Sequence, residues 1–396
     1  MKIYIDNAAT TKMSRTAIDA MLPYMDEIYG NPSSLHSVGQ SANEAITSAR
    51  ERVAACLGCD AREIIFTSGG SEADNHAITS AARIGEKQGK KHIISTAFEH
   101  HAVLHTLNRL EKEGFEITLL NVHENGLITP QQVSDAIRED TCLVTVMFAN
   151  NEIGTIQPIE EIGAVCRDKG ILFHTDAVQA VGHLHIDVNK QNIDMLSLSA
   201  HKFHGPKGVG ALYAKRGIRL TNLIEGGAQE QGRRAGTENI PAIMGMVAAL
   251  EEACGRIDEN AKAVSALRDR LIAGLSEIPH GVLNGDATHR LPGNVNFCFE
   301  GIEGESLLLL LDDKGVYASS GSACTSGSLD PSHVLLAIGR PHEIAHGSLR
   351  LTLSEETTAE EIDYVIGAVK DVVEYLRGMS PVWRDLVNGK NKFVTS

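Results

Sequence analysis

A single cysteine, Cys324, stands in the segment ASSGSACTSGS (318–328), whose other residues are Ala, Ser, Gly and Thr. A thiol kept for packing normally has larger apolar neighbours, because it behaves mainly as a small hydrophobe. A run rich in Gly and Ser instead leaves the chain free to move. Cys324 is therefore a candidate for chemistry and not for packing, and any attack by it would require the thiolate. The alternative is an exposed loop thiol without a function.

A lysine follows a strand-like run in MLSLSAHKFHGPKGVG (195–210), which contains Ser199, His201 and Lys202. Ligands of open α/β sheets bind at the carboxyl ends of the strands. A lysine placed there can form a Schiff base with an aldehyde cofactor, since burial lowers the pKa of an amine and makes it nucleophilic. A solvated loop lysine is the alternative, and Lys207 of the same stretch is interpreted as one.

Other strand ends carry polar side chains that suit a flat, anionic ligand. FHTDAVQA (173–180) supplies Asp176, which can keep a pyridine nitrogen protonated or can cap a helix. FTSGGSEADNHAI (66–78) supplies Gly70 and Ser71 in a turn whose free N–H groups and helix dipole suit a phosphate. An imidazole can stack on a ring, and an amide can bond its phenolic oxygen. The candidates for those contacts are Gln179, His100 of EHHAV (99–103), and Asn150 and Asn151 of ANNEIG (149–154).

The elements that position these residues alternate between short apolar runs and longer helical patterns. This alternation predicts a buried, mostly parallel sheet with helices on both faces, an α/β fold. The predicted strands are 63–68, 92–97, 116–122, 142–149, 171–177, 194–200 and 208–214, and helices are predicted over 71–89, 101–114 and 160–170.

The pattern changes from Pro241, where one long interdomain helix is predicted. A smaller α+β pattern follows and closes with a helix that Thr358-x-x-Glu361 opens as a capping box. The tail after Trp383 is predicted to be loosely held. We predict a large domain over 13–261 and a small domain that combines 1–12 with 262–396.

Composition excludes several classes of function. The formal net charge of −15 argues against nucleic-acid binding, which needs clustered Lys and Arg. No apolar run is long enough to cross a membrane. The start MKIYIDNAATT lacks a signal peptide, and seven scattered cysteines argue against a disulfide scaffold, so we expect a cytoplasmic protein.

Metal binding is also not expected. Cys56-x-x-Cys59 has redox and zinc-knuckle spacing, but one such pair without a second cluster is a weak signal. The seventeen histidines show no H-x-x-x-H or similar ligand pair on a convincing helix, so we predict no metal.

Many motifs in order resemble those of one family, over about residues 3–383. They are IDNAATT, YGNPSSLHSVG (29–39), TSGGSE, NNEIG, HTDAVQAVG, SAHKFHGPKGVG, GRRAGTEN (232–239), SSGSACTSGSLDPSHVL (319–335) and AHGSLRLTLS (345–354). The family is that of the cysteine desulfurases of the NifS/IscS type, with wording nearer the nitrogen-fixation type. These are pyridoxal phosphate-dependent proteins of the class V aminotransferase family, and the resemblance implies the type I (aspartate aminotransferase-like) fold.

The resemblance implies a homodimer and a role for each matching residue. Lys202 would hold the cofactor covalently, Asp176 would pair with its pyridine nitrogen, His100 would stack on the ring, and Arg350 would hold the substrate carboxylate together with Asn151. Asn151 and Gln179 would face the ring oxygen. The residues implied for the phosphate are Gly70, Ser71, Ser199, His201 and, from the other subunit, Thr237.

The implied reaction converts L-cysteine into L-alanine and leaves a persulfide on Cys324 for a protein acceptor such as an iron–sulfur scaffold. Two alternatives stay open. A selenocysteine lyase or another class V enzyme would share the cofactor site and differ in its need for Cys324. A nonenzymatic sulfur-relay scaffold would keep Cys324 without needing Lys202.

Overall fold

The computed structural model describes residues 1–321 and 331–395. Its centre is a seven-stranded sheet in the order β2-β8-β7-β6-β5-β3-β4, parallel except at β8. The elements up to β8 are β1 (Ile3–Tyr4), α1 (Arg15–Met21), α2 (Pro23–Asp26), α3 (Ser37–Leu57), β2 (Ile64–Thr67), α4 (Gly70–Lys87), β3 (His92–Thr96), α5 (His101–Lys112), β4 (Glu116–Leu120), α6 (Pro130–Ala136), β5 (Thr141–Thr145), α7 (Ile159–Lys169), β6 (Leu172–Asp176), β7 (Met195–Ser199) and β8 (Gly210–Ala214).

The rest of the chain adds helices and two small sheets. β12, β10 and β9 form a three-stranded antiparallel sheet, and β1 pairs in parallel with β11. The remaining elements are α8 (Gln229–Gly232), α9 (Ile240–Gly255), α10 (Ile257–Ser276), β9 (Gly281–Leu283), β10 (Asn294–Phe299), α11 (Gly304–Asp313), β11 (Val316–Tyr317), α12 (His333–Ala337), α13 (His342–Ala345), β12 (Ser348–Thr352), α14 (Ala359–Met379) and α15 (Pro381–Val387).

The α/β fold predicted from the alternating pattern is confirmed, and each of the seven predicted strands overlaps a strand of the large sheet. β2, β3, β5, β6, β7 and β8 are apolar runs that lie largely buried, as expected where helices cover both faces. β4 differs, with a burial pattern that is mostly exposed or intermediate, because it is the edge strand and one side has no neighbour.

Three apolar cores lie in the described residues, and one of them packs α4 and α5 against the large sheet. The largest contains the sheet and helices α3, α7 and α9, and a second core combines Ile3 and Ile5 with apolar residues from Val264 onward. Val334, Leu335 and Ile344, however, pack in the first core, although they lie far beyond residue 262. The segment around α12 and α13 thus joins the large sheet to the C-terminal part.

The single long helix predicted from Pro241 is wrong, because two helices meet at Arg256, whose φ of −125° and ψ of 14° are not helical. Gly255, which ends α9, weakens helix formation at that point. The helix opened by the Thr358 and Glu361 capping box is confirmed.

The prediction of a loose tail after Trp383 is also wrong for the residues that the structure describes. α15 continues to Val387, and the Glu300 carboxylate accepts hydrogen bonds from the N–H groups of Val394 and Thr395. The Phe393 ring stacks on His280 with a centroid distance of 3.8 Å. The tail therefore folds back onto the small antiparallel sheet.

Within residues 1–321 and 331–395, every helix is too short or too polar to span a bilayer.

Candidate active site

The carboxyl ends of five strands meet at one edge of the large sheet. β3, β5, β6 and β7 run in parallel, and β2 runs with them because β8 is antiparallel to both β2 and β7. The residues at or just after these ends are Gly70, His100, Asn151, Asp176 and Ser199. The structure thus brings the strand-end candidates to one edge, where ligands of such sheets bind.

Lys202 closes a short helical turn, Ala200–Lys202, directly after β7. Its Nζ donates hydrogen bonds to the carbonyl oxygens of Ala8 at 2.5 Å and Ala9 at 2.9 Å. The N-terminal segment is fixed against this turn, since Thr11 Oγ1 donates to the His201 carbonyl at 2.9 Å. Lys202 is therefore half-buried against the N-terminal segment and does not lie on a solvated loop.

Asp176 ends β6 and is 5% exposed, and its carboxylate accepts the Val178 N–H at 2.9 Å. Burial raises the pKa of Asp176, while the charges of His100 and Lys202 oppose that rise. His100 caps the N-terminus of α5, where its Nδ1 accepts the Ala102 N–H at 3.1 Å. Burial lowers the pKa of His100, so a neutral imidazole faces Asp176.

A cavity of about 390 Å³ lies at the N-terminus of α4. Its lining includes the predicted phosphate residues Gly70, Ser71, Ser199 and His201. Burial and the neighbouring lysines lower the pKa of His201 to about 4, so its ring is neutral, and its Nδ1 lies 3.1 Å from Thr10 Oγ1. The free N–H groups of an 18-residue helix face this cavity, which favours an anion.

The amide candidates take different positions. Gln179 is 9% exposed, and its Nε2 donates to the Ala8 carbonyl at 3.0 Å, so it shares this acceptor with Lys202. Asn150 supports its own turn, since its Oδ1 accepts the N–H groups of Glu152 and Ile153. The carbonyl of Asn151 accepts a hydrogen bond from Arg350 at 3.2 Å.

Arg350 lies in the middle of β12 and is 2% exposed. Its guanidinium forms an ion pair with Asp6 at 2.7 Å and donates to the carbonyls of Asn151 and Gly321. Its Nε is buried without a hydrogen-bond partner among the described residues. A buried donor without an acceptor is costly, so this edge of the guanidinium is suited to receive an anion.

Thr237 and Cys324 are the candidates that the structure does not bring into this group. Thr237 is exposed on the loop before α9 and does not line the cavity at α4 within the described chain. Cys324 lies outside the described residues. The residues that flank its segment do reach the site, since Gly321 contacts Arg350 and the His333 ring contacts the Glu99 carbonyl at 2.9 Å.

Asp74 is a residue of the site that sequence reasoning missed. Its carboxylate, that of Asp176 and the His100 ring have ligand atoms within 4.8 Å of one another. Asp74 is 1% exposed, and burial together with the Asp176 charge raises its pKa well above the usual range. Ser197 donates to it, and the Ser197 hydroxyl also contacts His174 Nε2 at 3.0 Å. A signal existed, because Asp74 interrupts an otherwise small and apolar helix stripe of Gly70, Ala77 and Ala81.

Asp6 and Lys207 were also missed. Asp6 follows β1 and faces an arginine 344 positions away, a contact for which the local sequence holds no signal. Lys207, interpreted above as an ordinary loop residue, lines the cavity at α4 although it is exposed. Its cationic side chain adds to the attraction for an anion.

The interpretation that the histidines lack a helical H-x-x-x-H pair is wrong. His101 and His105 lie four residues apart on α5, with parallel rings whose centroids are 5.0 Å apart. The His333 ring stacks on His101 at 4.7 Å. Within the described chain, the ligand atoms of Asp74, His100 and Asp176 lie close enough together to hold a metal ion, whereas the ring nitrogens of His101, His105 and His333 do not form such a group. The prediction of no metal therefore stays a prediction.

The mostly parallel sheet flanked by helices, with the candidate residues at its carboxyl edge, is consistent with the type I fold. Residues 3–365 match the aminotransferase class-V family.

Relatives narrow this class. A cysteine desulfurase IscS from Methanosarcina thermophila is 55% identical over 380 residues, covering 96% of this chain and 94% of the relative. A solved NifS-like protein is 38% identical with a TM-score of 0.89 over 95% of this chain and all of that chain. A second structure, SspA in complex with cysteine, is 38% identical with a TM-score of 0.80 over 90% of this chain and 99% of that chain. The chain belongs to the class-V aminotransferase family and, within it, to the cysteine desulfurases, which confirms the resemblance.

Proposed function

We propose that this chain converts L-cysteine into L-alanine and carries the released sulfur on Cys324, with Lys202 as the catalytic amine. The observation that carries the proposal is the position of Lys202. It lies at the strand edge, within the group of elements that also holds Asp176, His100 and the cavity at α4. A relay scaffold without catalysis does not need this arrangement.

The residues at the edge fit pyridoxal phosphate. Gly70 lets the start of α4 pack closely against Val178, since a Cβ placed there would lie only 2.6 Å from Val178 Cγ2. Gly70, Ser71, Ser199 and His201 would hold the phosphate in the cavity at α4. Asp176 would pair with the ring nitrogen, and His100 would stack on the ring with Asn151 and Gln179 at its oxygen. When bound, the cofactor supplies an aldehyde for amine attack and a ring that accepts electrons.

Asp74 and Asp176 divide their protons unequally. Two buried carboxyls so close together cannot both ionise without a large cost. The rise in the pKa of Asp74 keeps that group protonated, which lets Asp176 carry the negative charge that a protonated ring nitrogen needs. We assign Asp74 as the neutral partner beside Asp176.

Lys202 and Arg350 act on the substrate. Lys202 Nζ, released from the Ala8 and Ala9 carbonyls, takes the proton from the substrate α-carbon. Arg350 holds the substrate carboxylate, since its buried Nε lacks an acceptor among the described residues and its planar fork suits a carboxylate. Asp6 already occupies part of this fork, so the substrate must share Arg350 with Asp6.

The Cys324 thiolate attacks the substrate sulfur and becomes a persulfide, while the bond between that sulfur and the substrate β-carbon breaks. The electron pair of this bond stays on the carbon, which takes up a proton on the way to alanine. Gly321, three residues earlier, contacts Arg350, and three residues of extended chain span at most about 11 Å. The thiol is therefore tethered near the residue that holds the substrate. The persulfide then passes to a protein acceptor, such as a scaffold for iron–sulfur clusters.

The assembly is a homodimer in this proposal. Several apolar side chains near the N-terminal part of the chain are exposed, including Leu35 at 93%, Tyr29 at 73% and Met25 at 58%. Such residues are candidates for burial against a second copy, and Thr237 on an exposed loop can then reach the partner's phosphate site. We place the protein in the cytoplasm, because the free thiols of the six described cysteines suit a reducing compartment.

The proposal is tested by measuring alanine and sulfide released from L-cysteine with a thiol reductant present. Lys202→Ala and Cys324→Ser are compared with the wild type, and Cys59→Ser serves as a control thiol outside the site. Lys202→Ala is expected to abolish both products. Cys324→Ser is expected to keep the visible cofactor band and its change on adding cysteine, but to lose turnover.

Two outcomes would overturn parts of the proposal. Alanine formation by Cys324→Ser at the wild-type rate would show that the sulfur does not pass through a protein thiol, which leaves a lyase. Turnover by Lys202→Ala at the wild-type rate would remove Lys202 from the reaction.

A further inference from the structure

Two cysteines outside the active site lie close together. Cys56 lies in the last turn of α3 and Cys254 in the last turn of α9, and both line one cavity of about 220 Å³. Each thiol is also the largest influence on the pKa of the other. Both are free and only partly buried. Cys59, which completes the Cys56-x-x-Cys59 spacing, instead lies near the charges of Glu63 and Asp60. The structure therefore pairs Cys56 with a residue about two hundred positions away and not with its neighbour in sequence.

The two thiols differ in chemical character. The contact with Cys56 lowers the pKa of Cys254, and the N–H of Gly182 donates to the Cys254 sulfur and lowers it further. The same contact and burial raise the pKa of Cys56. The two thiols therefore titrate as a pair, and the first proton lost from the pair leaves one thiolate beside one thiol.

The pair is reachable by small molecules. Both cysteines line a cavity of about 220 Å³ together with His185, whose side chain is 70% exposed. By contrast, Cys142, Cys166 and Cys298 are buried in the core. A small oxidant can enter at the paired thiols without unfolding of the protein.

We propose that Cys56 and Cys254 form a reversible disulfide when the protein meets a hydroperoxide. The thiolate of the pair attacks the hydroperoxide, the O–O bond breaks, and an alcohol or water leaves with the proton that this thiol had lost, as the attacking cysteine becomes a sulfenic acid. The other thiol then attacks the sulfenic sulfur, the S–O bond breaks, and the departing hydroxide takes the proton of that thiol as water. Two thiols are oxidised by two electrons, and the hydroperoxide is reduced.

The cross-link joins two helix ends beside the active-site wall. Gly182, which donates to Cys254, and Ala253, the residue before Cys254, both line a cavity that also contains Lys202. α9 ends one residue after Cys254 and is followed by the break at Arg256. The disulfide would therefore fix the end of α9 at the point where the chain leaves the large core.

The test is a peptide map of the holoprotein after treatment with hydrogen peroxide. Remaining thiols are blocked under denaturing conditions, and the digest is compared with and without reductant. We expect one linked peptide pair that carries Cys56 and Cys254, the loss of two free thiols at these positions, and recovery of both after reduction. Cys59→Ser should give the same linked pair, whereas Cys56→Ser and Cys254→Ser should each lack it.

The same map made on Cys324→Ser removes the active-site thiol from the comparison, so the result does not depend on turnover. A link between Cys56 and Cys59 would overturn the pairing, as would full blocking of Cys56 and Cys254 under conditions that oxidise Cys324 in the wild type. The map of the wild type can refute the proposal by itself, so the test does not depend on the folding of any variant.

Discussion

The site has two halves: a sheet-edge half with Lys202, Asp176 and His100, and an Arg350 half with Arg350 and its partners. The contacts within the two halves join residues that are separated by different distances in the sequence. At the sheet edge, Asp176 and His100 each accept an N–H from a residue two positions further along. In the Arg350 half, the guanidinium reaches Asp6 across 344 positions and Asn151 across 199. The local sequence determines a strand end and its turn, whereas the Arg350 half forms only once distant segments have packed together.

The halves also differ in how their charges are balanced. Asp74, Asp176 and Glu99 are buried carboxyls whose pKa values are raised mainly by burial. Arg350 instead has an ionic partner, Asp6. The buried carboxyls of the sheet edge thus suit a cationic group such as a protonated ring nitrogen, whereas the cavity at α4 and the Arg350 half suit anions.

The largest effect is expected from Lys202→Ala, which removes the proposed base from the sheet-edge half. Turnover of L-cysteine should fall by about 10³-fold or more, as for loss of a general base. Lys215→Ala, at the far end of β8 in an ion pair with Asp194, is the matched control and should keep wild-type activity. Equal losses in both variants would mean that the defect comes from folding and not from the role of Lys202.

A smaller effect is expected from Arg350→Lys, which tests the other half. Lysine keeps the charge but loses the fork, so kcat/KM for L-cysteine should fall by about 10- to 100-fold. The loss should appear mainly in KM, since Arg350 binds substrate, and the affinity of the apoprotein for pyridoxal phosphate should change little. A loss of cofactor affinity with an unchanged KM would place Arg350 in the cofactor half.

Two variants of Asp74 test whether this sheet-edge carboxyl is protonated. If Asp74 is a neutral partner of Asp176, Asp74→Asn should bind pyridoxal phosphate nearly as the wild type does, because an amide is also neutral. Asp74→Ala should weaken binding by about tenfold, the size of one lost hydrogen bond. Titration of the apoprotein, followed by cofactor absorbance, measures both, with Asp176→Asn in parallel. An equal loss in Asn and Ala variants would contradict a protonated Asp74.

The smallest effect on activity is expected from Glu99→Gln, which should instead change the pH dependence of stability. Burial raises the pKa of Glu99 to about 8, so the folded state keeps a proton that the unfolded chain loses from about pH 4.5 upward. This group therefore lowers the free energy of unfolding as pH rises between these values, by at most about 1.4 kcal/mol per pH unit.

Glutamine keeps the acceptor for Thr96 and Met147 but cannot titrate. Denaturant unfolding across this pH range should show that Glu99→Gln gains stability relative to the wild type as pH rises. A constant difference between the two proteins would mean that Glu99 is ionised in the folded state.

The features that the sequence could predict are those that depend on local contacts, and the features that it could not predict depend on contacts between distant residues. The seven strands, the capping box at Thr358 and the strand-end positions of Lys202 and Asp176 carry local patterns of period, caps and apolar runs. The break at Arg256 was missed, because the apolar spacing continues across it. Asp6 and the fold-back of Thr395 onto Glu300 depend on contacts between distant residues, which single-sequence patterns do not contain.

Asp74 and the histidines show a different limit. Asp74 is visible in the sequence as a carboxylate in an apolar helix stripe, and His101 with His105 as a helical pair, so both have a local signal that does not depend on a strand end. The contact between Cys56 and Cys254 was hidden for a physical reason, since it joins the ends of two helices that pack only in the folded chain.

The most direct test of the central claim is a mass measurement of the holoprotein after one addition of L-cysteine without reductant. The Cys324 peptide should gain the mass of one sulfur atom, alanine should form in equal amount, and Lys202→Ala should show neither. A sulfur atom on another cysteine, or alanine formed while the Cys324 peptide keeps its mass, would contradict the assignment of Cys324 as the residue that takes the sulfur.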